Sequence, residues 1–70
     1  RKTAQIAFAR QVAMYIARET TELSYKAIGE SFGKDHATVL HNVQKIEDHL
    51  KKNPFDKELI EDIIKNLQTD

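Results

Sequence analysis

The chain has 70 residues, with 11 Lys plus Arg against 11 Asp plus Glu, no Cys, no Trp, two Gly, one Pro and 40% apolar positions. Pro and Gly are too scarce for a linker and the apolar fraction is too high for a disordered tail, so a single folded domain over 1–70 is expected, with little room for a deep catalytic cavity at this size. The missing cysteine excludes a disulfide framework, a Cys-based zinc site and a thiol nucleophile, and no apolar run approaches the ~20 residues of a membrane span.

Residues 4–19 place Ala9, Val12, Ala13 and Ile16 on one stripe, which predicts a first helix with that Ala-rich face in the core, ending at Thr20 and Thr21. Ser24 can cap a short second helix, Tyr25 to Phe32, with Ala27, Ile28 and Phe32 as its apolar positions and Gly33 as the residue that turns left-handed after it. Asp35 is the expected N-cap of a long third helix whose inward stripe is Val39, Val43, Ile46 and Leu50. Asn53-Pro54 breaks the chain, and a last helix starts within Pro54 to Asp56. Leu59, Ile60, Ile63, Ile64 and Leu67 give that helix a wide apolar face, with Glu58, Glu61, Asp62 and Lys65 outside, so it is read as a lid on the core. No strand alternation or internal repeat is present, and the fold class expected is all-α with about four helices.

The zero net charge conceals an asymmetry. Residues 1–46 carry seven cations and four anions, a balance of +3, whereas residues 47–70 carry four cations and seven anions, a balance of −3. A neutral total argues against indiscriminate binding of polyanions, but such a chain can still present one positive face.

A two-turn helix, a short link containing Gly and a longer helix with a polar outer face form the outline of a helix-turn-helix. Short αα-hairpins share that outline. What separates this chain from them is the start of the third helix, where Lys34, Asp35, His36, Ala37, Thr38, His41 and Asn42 gather donors, acceptors and a methyl group at positions that reach base edges in a major-groove docking.

The run Arg10-Gln11-Val12-Ala13-Met14-Tyr15-Ile16-Ala17-Arg18-Glu19, then Ile28-Gly29, Phe32-Gly33 and above all Asp35-His36-Ala37-Thr38-Val39-Leu40-His41, resembles the C-terminal DNA-binding domain of the bacterial replication initiator DnaA. The resemblance covers nearly the whole chain. It implies a compact, Trp-repressor-like helix-turn-helix that binds short asymmetric DnaA boxes in double-stranded DNA at the replication origin, one monomer per site, in the bacterial cytoplasm and nucleoid, without membrane contact. It also implies no cofactor in this domain, because the family's ATP-binding domain lies upstream and is not among these residues, which makes the chain either an excised domain or a separate small relative.

By the same resemblance, Asp35, His36 and Ala37 read the major groove, and Lys2 stands where a basic residue enters the adjacent minor groove. Arg10, Gln11, Arg18, Thr21, Lys34, Thr38, His41 and Lys45 match positions that lie against the DNA backbone. These roles suit the residue types, since carboxylates accept from cytosine N4 and Lys and Arg neutralise phosphates. The chain departs from the family pattern at Ala37 (commonly Thr), Tyr25-Lys26 (commonly Leu-Pro), Gln44 (frequently Arg), Phe8-Ala9 (commonly Arg-Pro) and the link Gly33-Lys34, one residue shorter than usual. These changes bear on site preference and affinity more than on the mode of binding.

Other readings compete. His36 and His41 are five apart, ~140° around a helix, and so form no i, i+4 metal pair. Asp35 can cap its own helix without touching DNA, Arg18 and Glu19 can be solvated surface, and His49 has no motif role and reads as surface. The rival function class is a helical protein-interaction adaptor, or the DNA-binding module of a small DnaA-related or transposase-associated protein. An enzyme is not expected, because no acid–base pair is placed by spacing and no phosphate-cradling glycine loop exists.

Overall fold

The computed structural model describes residues 2–68, with Lys2 described by its backbone alone. Four helices follow in order: α1 (Lys2–Thr20), α2 (Tyr25–Phe32), α3 (His36–Lys52) and α4 (Pro54–Gln68). The described residues contain no strand, so the expected all-α class is what is found.

Each boundary has a local cause. Thr20 and Thr21 turn their hydroxyls back onto the carbonyls of Ile16 and Ala17, at 2.8 and 2.7 Å, and the Thr21 oxygen accepts the Leu23 N–H as the chain leaves the helix. Ser24 then caps α2 by accepting the Ala27 N–H at 3.0 Å. At the other end Gly33 adopts φ 70°, ψ 32°, its N–H donating to Glu30 O and that of Lys34 to Gly29 O. This pair of bonds is the Schellman arrangement, which satisfies helix-end carbonyls and needs a residue with no Cβ penalty in the left-handed region. Asp35, in extended conformation, starts α3 by accepting the Thr38 N–H at 2.8 Å. Asn53 ends it, Nδ2 donating to His49 O at 2.7 Å, before Pro54 opens α4.

α3 is the central element. It packs against the other three helices, α1 touches all of them, and α2 and α4 do not meet. Two apolar clusters result. Met14, Ile28, Val39 and Val43 join α1, α2 and α3, while Ile46, Leu50 and Ile60 join α3 to α4 with Val12, Ile16 and Ile64 alongside. Tyr15 touches both. Burial raises its phenol above the ordinary value, and Glu19, Glu47 and Glu61 reinforce the shift.

The stripe of α3 and the apolar positions of α2 lie as the sequence predicts, but α1 and α4 differ from expectation. In α1 the core residue is Met14, fully buried, whereas Ala9 and Ala13 are exposed and Val12 and Ile16 half-buried. An Ala-rich helix contacted from more than one side buries a broad arc, and a one-carbon side chain fits either face of it, so alanine spacing does not locate the core. In α4 Ile60 and Ile64 turn inward, but Leu59, Ile63 and Leu67 stay exposed, and Phe55 retains 74% of its surface. The lid covers the core with two of the five apolar positions expected. His49 is half-buried rather than free surface, its Nε2 2.8 Å from Asp56 Oδ2 and the Phe8 ring edge-on to it.

Candidate nucleic-acid interface

The tight link between α2 and α3 fixes the start of α3. Gly29 makes this approach possible, since a Cβ there would collide with the carbonyl oxygen of Lys34 and press on that of Asp35. With α2 pulled onto the link, Lys34, Asp35, His36 and Ala37 stand exposed in succession and Thr38 is half-buried behind them. Thr38, through its side chain first and then its N–H, holds the Asp35 carboxyl below the ordinary carboxylate range, and His36 adds to the effect. Asp35 is thus ionised at neutral pH. One of its oxygens is engaged by the cap, and an ionised carboxyl offers further lone pairs to an external donor.

Along α3 the stripe opposite the core runs through Ala37, His41, Gln44 and Asp48, spaced four, three and four, with Leu40 beside it, all exposed. His41 and, off that stripe, Lys45 are exposed. Leu40, which had no assigned role, and Gln44, noted above only as a departure from the family pattern, join them; the signal that finds them is their spacing of three and seven from Ala37. Asn42, grouped with the outward residues on sequence, turns inward instead. Its Nδ2 meets the Met14 sulfur at 3.4 Å and its Oδ1 accepts from Gln11 Nε2 at 3.3 Å, tying α3 to α1.

Of the α1 residues, Arg10 is exposed and Gln11 is half-buried in that bond with Asn42. The Thr21 hydroxyl donates to Ala17 O, so its one proton is used within the chain. Arg18 is not the solvated surface residue of the simplest alternative. Its guanidinium lies over the Tyr25 ring, 4.4 Å from the centroid, and donates to Leu23 O at 2.8 Å. Among the described residues, none of Arg10, Arg18, Lys34 and Lys45 has a carboxylate within ion-pairing distance. The Lys2 side chain lies outside the described residues. No group of three or more His, Cys, Asp or Glu among the described residues is placed to hold a metal ion, and no helix is long and apolar enough to cross a membrane.

Residues 1–46, the segment that carries α1, α2 and the exposed start of α3, match the family model described as the bacterial dnaA protein helix-turn-helix. The chain belongs to the bacterial DnaA helix-turn-helix family. Over 68 residues, 97% of the chain, it is 46% identical to the chromosomal replication initiator protein DnaA of Thermoanaerobacter sp. (strain X514), and it matches that of Caldanaerobacter subterraneus subsp. tengcongensis to the same degree. The chain spans 15% of the length of these DnaA relatives. No solved structure gave a match. The family-model match ends at Ile46, before α4, whereas the 68-residue similarity to the DnaA relatives continues into α4.

Proposed function

We propose that this domain binds double-stranded DNA sequence-specifically, as the box-reading part of a bacterial replication initiator, one monomer on each asymmetric DnaA box. The start of α3 enters the major groove, where Asp35, His36 and Ala37 meet base edges and Lys2 reaches the neighbouring minor groove. Arg10, Gln11, Arg18, Thr21, Lys34, Thr38, His41 and Lys45 lie against the backbone. The observation that carries this reading is the exposed start of α3, where Lys34, with no carboxylate partner among the described residues, stands beside an exposed, ionised Asp35 and is followed by exposed His36 and Ala37. Phosphates supply the missing counter-charge, and a carboxylate accepts from cytosine N4. The role is binding without catalysis or cofactor, ATP chemistry belonging to the family's upstream domain, and its setting is the bacterial cytoplasm and nucleoid.

A mobility-shift titration tests it, with an origin duplex and a random duplex compared over a range of salt. Specific binding is expected, and with five or six phosphate contacts the slope of log K against log salt falls near −5, at roughly −0.9 per contact. Equal affinity for both duplexes, or a slope near zero, rejects it.

A further inference from the structure

Tyr25 stands at the first position of α2, and its ring carries the Arg18 guanidinium at 4.4 Å while Arg18 also donates to Leu23 O. Two restraints on one planar group fix its position and tilt before any ligand arrives. Neither restraint neutralises it, since an aromatic face and a backbone carbonyl are uncharged and no carboxylate of the described residues pairs with it. A guanidinium has five N–H donors, and the bond to Leu23 takes one.

We propose that Tyr25 is a positioning residue for DNA binding: its ring holds the Arg18 guanidinium oriented and charged for a backbone phosphate. This rests on the DNA-binding reading above. An arginine side chain loses considerable rotamer freedom when it is immobilised, and a stack already formed in the free protein removes part of that loss from the binding step. A leucine at position 25 leaves Arg18 only the Leu23 bond, and the side chain samples more orientations. The domain then binds with the same charge but a less ordered clamp. Tyr25 is also half-buried beside the Met14 cluster, so the ring is anchored from below while Arg18 covers it from above.

The test is a double-mutant cycle on DNA binding, with Arg18→Ala, Tyr25→Leu, the pair together, Tyr25→Phe and Arg18→Lys, each below its own melting transition. Free-protein NMR gives an independent readout, since ring-current displacement of the Arg18 side-chain resonances reports the stack without DNA. Expected results are an about three- to fivefold loss of affinity for Tyr25→Leu, the range of an exposed cation–π contact, with retention in Tyr25→Phe. No further loss is expected when Tyr25→Leu is added to Arg18→Ala. Arg18→Ala lowers the salt slope by about 0.9, whereas Arg18→Lys keeps the slope and loses affinity because the ammonium lacks the planar face. The assignment is overturned by additive losses, by Tyr25→Phe failing as badly as Tyr25→Leu, or by Arg18→Lys binding like wild type. If Tyr25→Leu does not fold, Arg18→Lys and Tyr25→Phe decide alone. Ring-current shifts present in a wild-type domain that binds no DNA identify failure of the DNA reading rather than of the stack.

Discussion

His49 Nε2 lies 2.8 Å from Asp56 Oδ2, joining α3 to α4 across the Asn53-Pro54 break. Asn53 bonds the His49 carbonyl, and the Phe8 ring meets the imidazole edge-on with centroids 5.4 Å apart, so one side chain connects three helices. Both partners of the pair are about a third or more exposed, which keeps the interaction in the range of a surface contact. Asp56→Ala is therefore expected to destabilise by about 0.5–1 kcal/mol, and His49→Ala by somewhat more because the Phe8 contact goes with it. His49 sits in the last turn of α3 and Asp56 in α4, both far along the chain from the exposed start of α3, so DNA affinity in the folded protein is expected to stay at the wild-type value, measured by thermal melting and duplex titration side by side.

Gly29→Ala tests the α2–α3 approach. Helix propensity favours the alanine by up to about 1 kcal/mol, but its methyl meets backbone oxygens of Lys34 and Asp35, which cannot swing aside as a flexible side chain does. Overpacking of this kind costs about 1–3 kcal/mol, so the net change is destabilising and shifts the start of α3. Gly33→Ala meets nothing in space and incurs only the left-handed conformation, about 1–2 kcal/mol. Gly29→Ala should impair specific DNA binding even where it folds; a Gly29→Ala domain that melts and binds like wild type would contradict the close approach.

Asp35 makes a pH prediction. Its folded pKa is lowered below the ordinary carboxylate value, so the cap's added stability is present above that ordinary value and disappears as pH falls through the folded pKa. Asn caps helices about as well as Asp but does not titrate there. Melting curves of wild type and Asp35→Asn should converge as pH falls from 5 towards 2, the wild type losing the advantage it holds at neutral pH. Parallel curves over that range would mean that the carboxylate charge contributes nothing to the cap.

Base reading is separable from capping. Asp35→Ala and His36→Ala should reduce affinity for a specific duplex far more than for a random one, because a good base contact is worth ~1–3 kcal/mol of discrimination whereas phosphate contacts weaken all sequences alike. Asp35→Asn restores the cap and not the charge. If it also restores discrimination against other bases in full, the carboxylate is not the reader.

The helix boundaries were legible because each rests on a local device: Ser24 and Asp35 as caps, Gly33 in the left-handed region, Pro54 as a break. The stripe of α3 was legible for a different reason, since four branched apolar residues at helical spacing have only one face to bury. The failures share a cause as well. Ala9 and Ala13 carry no shape information, and Leu59 and Leu67 satisfy the helical period while remaining exposed, because periodicity reports what could be buried and the partner surface determines what is. Asn42 and Arg18 were ambiguous because a polar side chain at the edge of a buried stripe can turn either way; Gln11 and Met14 draw Asn42 inward, and the Tyr25 ring draws Arg18 down. Nothing in the spacing of residues 18 and 25 announces that stack.

Charge is segregated along the chain, basic before residue 47 and acidic after it. α4 touches α1 and α3 but not α2, so its exposed acids Glu58, Glu61 and Asp62 lie on the side of the molecule away from the α2–α3 link. The domain measures 33 × 30 × 21 Å, and its thinnest dimension exceeds two Debye lengths of about 8 Å at physiological ionic strength. Repulsion between these carboxylates and phosphates at the far face is therefore largely screened, and neutralising all three should raise DNA affinity only modestly, with the gain vanishing at higher salt. Lys57→Ala and Lys65→Ala should change affinity little for the same reason. Lys2→Ala should weaken binding most on sites with A·T-rich flanks, where a narrow minor groove concentrates negative potential. Abolished binding after the acidic neutralisations, or a Lys57 or Lys65 effect as large as that of Lys2, would require α4 to face the DNA and would reverse the docking proposed above.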